Sequence, residues 1–332
     1  MAAGDVHLDY FKIELPSGHL YTDELYANAR HQCQVVLTVL KLVEDENGSL
    51  VGTPLTQTEI DSAEITAYGA TAAPLPPGWH CDTWKNKYLP GLWKQGVDIQ
   101  PESAGSEPVL PCLKSDPKQS IARYMRFDSG RGVEMKRFMG RIVVGGKVYT
   151  TNSSHDGVIF NSYVDIQPTL PYRLSVAQMA QYVDFDAFNG KVAGDFVDID
   201  IYYWMPPAGL EFLDNFGLDR TVYVNYDGLK FDTSFVFQAG HGIRKKGGVV
   251  MGTGSTRVYD IHRGAAGGAG GGDQYVRTDL YPTIMRAARY SGWMDTPDGE
   301  TASPWRLQDN YGCDHVFSIG WGDNRNLLEL RG

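Results

Sequence analysis

Asp184, Asp186, Asp198 and Asp200 fall within one short stretch of the chain. Clustered carboxylates are the side chains that hold calcium. Asp184-x-Asp186 followed by Asn189-Gly190 begins like a calcium loop. Its glycine comes one place late, and no glutamate stands at the loop's twelfth position. Asp195 could add a further oxygen. No cofactor is expected, with calcium as the alternative that these four candidate metal ligands offer. A plainer explanation exists for Asp198 and Asp200: they alternate with apolar residues in the run Phe196 to Trp204 and would form the solvent face of a half-buried strand.

A second set of residues suits ligand recognition. Trp79, Trp84 and Trp93 stand in a proline-rich stretch, and Tyr202 and Trp204 end the alternating run. Exposed Trp and Tyr rings suit sugar faces and protein surfaces alike. These five are the candidate ligand-binding residues.

Other chemistries lack their signatures. Gly252-Thr253-Gly254-Ser255-Thr256 puts its serine after the second glycine, so it is not a nucleophile elbow. Ser115-Asp116-Pro117-Lys118 spaces serine and lysine for acyl transfer, but its proline spoils the helical turn that would place the lysine. Gly140 to Lys147 lacks the lysine and hydroxyl of a phosphate loop, and no GxGxxG follows a strand. His80-Cys81 and Cys313-x-His315 do not match zinc spacing. A glycosidase's paired carboxylates meet in space and leave no sequence trace. Catalytic residues are therefore assigned to none.

The elements that must position these residues are strands. Asn47-Gly48, Gly145-Gly146 and Asp227-Gly228 each separate two alternating runs, the signature of a tight hairpin turn. The fold class expected is mainly β: consecutive antiparallel β-sandwich units with few short helices. Residues 1–70 read as an N-terminal sandwich unit, with Thr56-Gln57-Thr58-Glu59 as a capping box. Residues 71–120 read as a Pro/Trp-rich connector, 121–207 as a second sandwich unit, and 208–332 as a C-terminal β-rich region. Short helices are expected at Val176 to Val183, behind Ser175, and at Pro282 to Tyr290, where Pro282 suits a first turn and Gly292 a cap. The Gly264 to Gly272 tract reads as a flexible surface loop, with backbone approach in an assembly or a membrane hairpin as sharper alternatives.

Composition limits the partners. The chain has 332 residues, 42% hydrophobic and 12% aromatic, with a net charge of −10. No basic stripe is available for a phosphate backbone, so nucleic acid is excluded as a partner. No apolar run has the ~20 residues of a membrane-spanning helix, and Met1 to Tyr10 lacks the features of a secretory leader. Cytoplasmic synthesis is expected, with release or secretion by a non-Sec route. Cys33, Cys81, Cys112 and Cys313 form no disulfide framework, although a Cys81–Cys112 bridge is conceivable. The function expected is a non-enzymatic binding or assembly protein acting outside the producing cell, as a toxin component or surface-recognition module. Its partner would be a protein or glycan surface, and self-association into a homo-oligomer fits. A structural subunit of a phage, tailocin or filament is the first alternative, and a polysaccharide hydrolase the second.

Overall fold

The computed structural model describes residues 5–95, 117–128, 132–155, 157–192, 195–219, 225–226, 229–230, 235–241, 244–251, 276–293, 302–321, 323–324 and 326–332. Cys112, the turn residues Asp227-Gly228 and the Gly264 to Gly272 tract lie outside them. The chain falls into two compact units, Met1–Trp93 with Pro101–Pro171 and Tyr172–Gly332 with Lys94–Gln100. Strands dominate both, as the alternation predicts.

Unit one contains β1 (Val6–Glu14), β2 (Tyr21–Thr22), β3 (Cys33–Glu44), β4 (Leu50–Gly52), the helix α1 (Gln57–Asp61), β5 (Glu64–Ala67), β6 (Trp79–Asp82), β7 (Gln119–Phe127), β8 (Lys136–Val144), β9 (Lys147–Thr150), β10 (Ser154–His155), β11 (Val158–Ile159) and β12 (Val164–Ile166). One sheet runs β1-β3-β7-β6 with β4 paired to β3, and the other runs β2-β12-β8-β5 with β9 paired to β8. Alternation supplies the core between them. In β3, Cys33, Val35, Leu37, Val39 and Lys41 are buried while the intervening residues are half exposed. Ile13, Phe138, Ile142 and Val164 complete the packed interior. Strands expected in separate units therefore pair directly: β3 lies against β7, and β5 against β8.

The turns differ in detail. Gly145 and Gly146 have φ of +56° and +79° between the paired residues Val144 and Lys147, the two-residue form that asks for positive φ twice. Asn47-Gly48 sits instead in a five-residue loop, because the ladder ends at Glu44 and Leu50. Asp45 stabilises that loop by accepting hydrogen bonds from the Asn47 and Ser49 N–H groups, each at 2.8 Å.

Unit two contains β13 (Ala180–Val192), β14 (Asp195–Met205), β15 (Phe212–Leu218), β16 (Asn225–Tyr226), β17 (Leu229–Lys230), β18 (Phe235–His241), β19 (Arg244–Val250), β20 (Arg286–Trp293), β21 (Ala302–Asp309), β22 (Asp314–Trp321) and β23 (Leu328–Arg331). Its main sheets are β13-β14-β20-β19-β18 and β15-β21-β22-β23. β16 and β17 pair around the Asp227-Gly228 position, with Tyr226 opposite Leu229. Trp204 and Trp305 meet edge to face at 5.8 Å where the two sheets pack.

Two helix expectations are corrected. Pro282 to Tyr290 is not a helix: Arg286–Trp293 is a strand with β14 on one side and β19 on the other. Met285 to Tyr290 are all buried, so no face alternates, and the helix-favouring Met, Ala and Arg residues yield to the ladder on both sides. At the other site only Val176–Gln178 turns, as a 3-10 segment, and β13 begins at Ala180 to pair with β14. The capping box does form: Thr56 Oγ1 accepts from Glu59 N–H, and Glu59 Oε2 accepts from Thr56 N–H.

Candidate functional site

β5 and β6 are terminal strands of their respective sheets, and an open cleft of about 770 Å³ lies at these two edges. Its wall draws on α1, β5, the segment from Ala72 to Leu75, β6 with Thr83, and arginines of β7 and β8. β5 pairs in a ladder with β8 and β6 with β7, and β5 adds a single bridge from Ala67 to Ala73 of the cleft wall.

Three arginines define the electrostatics. Arg126 on β7 donates to Asp82 at 2.8 Å, and Gln32 donates to the same carboxylate oxygen. Arg141 on β8 donates to Glu64 at 2.8 Å. Arg123 differs from both. It occupies an inward position of β7, in line with Ile121, Met125 and Phe127, and is 5% exposed. Its Nε, Nη1 and Nη2 donate to the carbonyls of Ala63, Ala122 and Ile60, each at 2.8 Å. Burial pushes this guanidinium below its ordinary value, with the charges of Cys81 and Asp61 opposing. Burial also pushes the Cys81 thiol up, although the Ile65 N–H and Arg123 pull it the other way. A raised thiol is a poor nucleophile at neutral pH. The wall is suited to exchanging hydrogen bonds with a polar ligand.

The three tryptophans of the proline-rich segment part company. Trp79 is a core residue, with its ring 4.9 Å from Phe127 and 4.6 Å from Phe138, and it meets the cleft only as a 5% exposed part of the wall. Trp84 follows Thr83 of the cleft wall and is 83% exposed, while its carbonyl accepts from Gln32. Trp93 is half-buried, and its backbone N–H donates to Tyr26 Oη at 3.1 Å. Tyr202 and Trp204 are corrected as surface candidates as well. They stack at 5.9 Å inside unit two, because their face of β14 is the one that meets the second sheet.

The aspartates also separate. Asp186, Asp198 and Asp200 bring carboxylate oxygens within 4.8 Å of one another, and Asp184 lies outside this group. Asp200 is not on a solvent face, since it is 3% exposed, whereas Asp198 is half-buried. They share their side of β14 with Tyr202 and Trp204. Arg289 stands opposite Asp200 across the β14–β20 ladder and donates to Asp198 at 2.7 Å and to Asp200 through Nε at 2.7 Å. Burial alone would lower this guanidinium, but the two aspartates hold it above its ordinary value. The guanidinium therefore supplies the positive charge that calcium would bring to Asp198 and Asp200. Asp186 takes a positive φ of 53° at the β13 bulge, and its N–H donates to Asp200 at 3.0 Å. Burial pushes the Asp184 carboxyl up, against the attraction of Arg277.

Arg123 and Arg289 are the residues that sequence reasoning passed over. The available signal was a charge on the inward parity of an apolar strand at Arg123. For Arg289 it was hidden by the helix assignment.

No protein-family model matches the chain, and no curated protein matches it. Among solved structures, the chain is similar to the C-terminal domain of the antigen I/II-family protein AspA of Streptococcus pyogenes. The identity is 10%, over 95% of this chain and 100% of that one, at a TM-score of 0.21. It is also similar to the C-terminal domain of the AgI/II polypeptide BspA of Streptococcus agalactiae, at 9% identity over 92% and 96% of the two chains with a TM-score of 0.20. Scores this low leave function to be read from the chain's own residues.

Proposed function

We propose that this protein is a non-enzymatic recognition module that acts outside the producing cell and binds a glycan along the β5–β6 cleft. The observation that carries the reading is the cleft itself: an open space of about 770 Å³ whose wall mixes arginines and carboxylates with apolar residues such as Ile65, Pro74 and Leu75, with the 83% exposed Trp84 next in the chain after Thr83 of that wall. Arginine and carboxylate side chains supply donors and acceptors in fixed planes, which suits vicinal hydroxyls. An exposed indole supplies the apolar face that packs on a sugar ring. The carboxylates of Glu64 and Asp82 are engaged by arginines. That arrangement favours holding a ligand over attacking one.

A glycan array probed with the full chain tests the reading. The expected result is retention of a defined set of glycans by the wild type and loss of signal in Trp84→Ala and Arg126→Ala, with both variants melting as the wild type does. A blank array, or unchanged binding by both variants, would overturn it. Release of new reducing ends from a bound polysaccharide would favour the hydrolase reading instead.

A further inference from the structure

Arg123 is a buried cation with an incomplete explanation. Its three hydrogen bonds among the described residues all run to neutral carbonyls, those of Ile60 and Ala63 around the end of α1 and that of Ala122 on its own strand. Capping these carbonyls accounts for three of the five N–H donors that a guanidinium carries. It does not account for the charge. Among the described residues, Arg126 and Arg141 each have a carboxylate in ion-pair contact, and Arg123 has none. Asp61, the remaining carboxylate of the wall, accepts the Gln57 side-chain amide at 2.8 Å. Buried charges are as a rule paired, because desolvation otherwise costs several kcal/mol. The charge at the floor of the cleft is thus open to compensation by whatever enters.

We infer that the glycan bound in this cleft is acidic, and that Arg123 seats a carboxylate of a uronate-type sugar. The inference rests on the reading of the cleft as a glycan site and narrows its ligand class. A carboxylate fits because the guanidinium presents its donors in one plane, and two parallel N–H···O bonds match a planar anion. Burial outweighs the opposing pull of Cys81 and Asp61, which leaves the guanidinium below its ordinary value. Arg126 and Arg141 flank the same space and add to the positive potential, although Asp82 and Glu64 offset them.

The test uses the full chain and three probes of equal length: a uronate oligosaccharide, the same oligosaccharide with its carboxyls reduced to alcohols, and a sulfated oligosaccharide. Titration calorimetry is expected to show the uronate binding about ten-fold or more tighter than its reduced form, the scale of a charged hydrogen bond. The preference should weaken with added salt. Arg123→Lys should lose the preference while keeping residual binding of the reduced probe. Should that variant fail to fold, the comparison of probes on the unaltered chain decides alone. Equal affinity for the uronate and its reduced form would overturn the inference and leave the glycan reading standing, with Arg123 as a carbonyl cap only. Equal affinity for the sulfated probe would overturn the assignment to a carboxylate. Binding of none would overturn both.

Discussion

Arg289 faces Asp200 across two central strands and is 2% exposed on its side chain, with Asp198 within the same fork. The three groups are stable because each charge has a partner at hydrogen-bond distance. Arg289→Met removes the only cation in contact with this buried carboxylate pair among the described residues. The expected cost is about 3–5 kcal/mol, measured by chemical denaturation at neutral pH, since the loss of one partner leaves the others desolvated and unpaired. Added calcium should return part of that stability to the variant and little to the wild type, because only the variant has lost its internal cation. A cost below about 1 kcal/mol would mean that the pair adds no more than an exposed one. Cys33 illustrates burial as the dominant cause: its thiol donates to the Gln34 carbonyl at 3.7 Å and is pushed up to about 12 by desolvation, with Glu24 adding to the effect. Nothing in the pattern Gln34-Val35-Val36-Leu37 distinguishes it from any other small core residue.

At the scale of elements, Glu59 joins three of them. It closes the capping box of α1, accepts from buried Lys41 of β3 at 2.8 and 3.0 Å, and accepts from the Gly145 N–H in the β8–β9 turn. Burial works to raise its carboxyl, but Lys41 and the two N–H groups outweigh that and hold it below the ordinary carboxylate value. A depressed carboxyl contributes its stability above the unfolded value and loses it as pH falls through the folded one. Glu59→Gln should therefore cost about 3–5 kcal/mol near pH 7. That penalty should shrink as the pH is brought below the ordinary carboxylate range, which urea melts across pH would record. Gly140, central in β8, shows a steric constraint of the same kind. A Cβ there would run into Leu37 and come within 3.1 Å of Thr151 Cγ2 and 3.3 Å of Phe11 Cζ. Gly140→Ala is expected to cost about 1–3 kcal/mol by overpacking, read from the same melts. The capping box and the Gly-Gly turn were legible in the sequence because both are local. The strand at Arg286–Trp293 was not, because a strand buried on both faces carries no alternation.

For the whole molecule, the core of unit one, among the described residues, is built from the stretch Val6 to Ile166. A fragment of residues 1–171 should therefore fold by itself, with a cooperative thermal transition and a β-type circular dichroism spectrum; a non-cooperative melt would contradict this. The sequence by itself determined the fold class, since period-two alternation and turn dipeptides act over a few residues and need no distant partner. It also placed Trp84 and the aspartate cluster among the candidates. Only the tertiary structure decided which candidates are surface and which are core. Trp79, Tyr202 and Trp204 went inside because their faces of the strands met another sheet, a fact set by pairing across the chain. The cleft arises where β5 and β6 end separate sheets, and its arginines come from β7 and β8, so no local pattern encodes it. Arg123 marks the boundary between the two levels: its inward parity is written in the chain, and its lack of an ion-paired carboxylate among the described residues appears only once the sheets have packed.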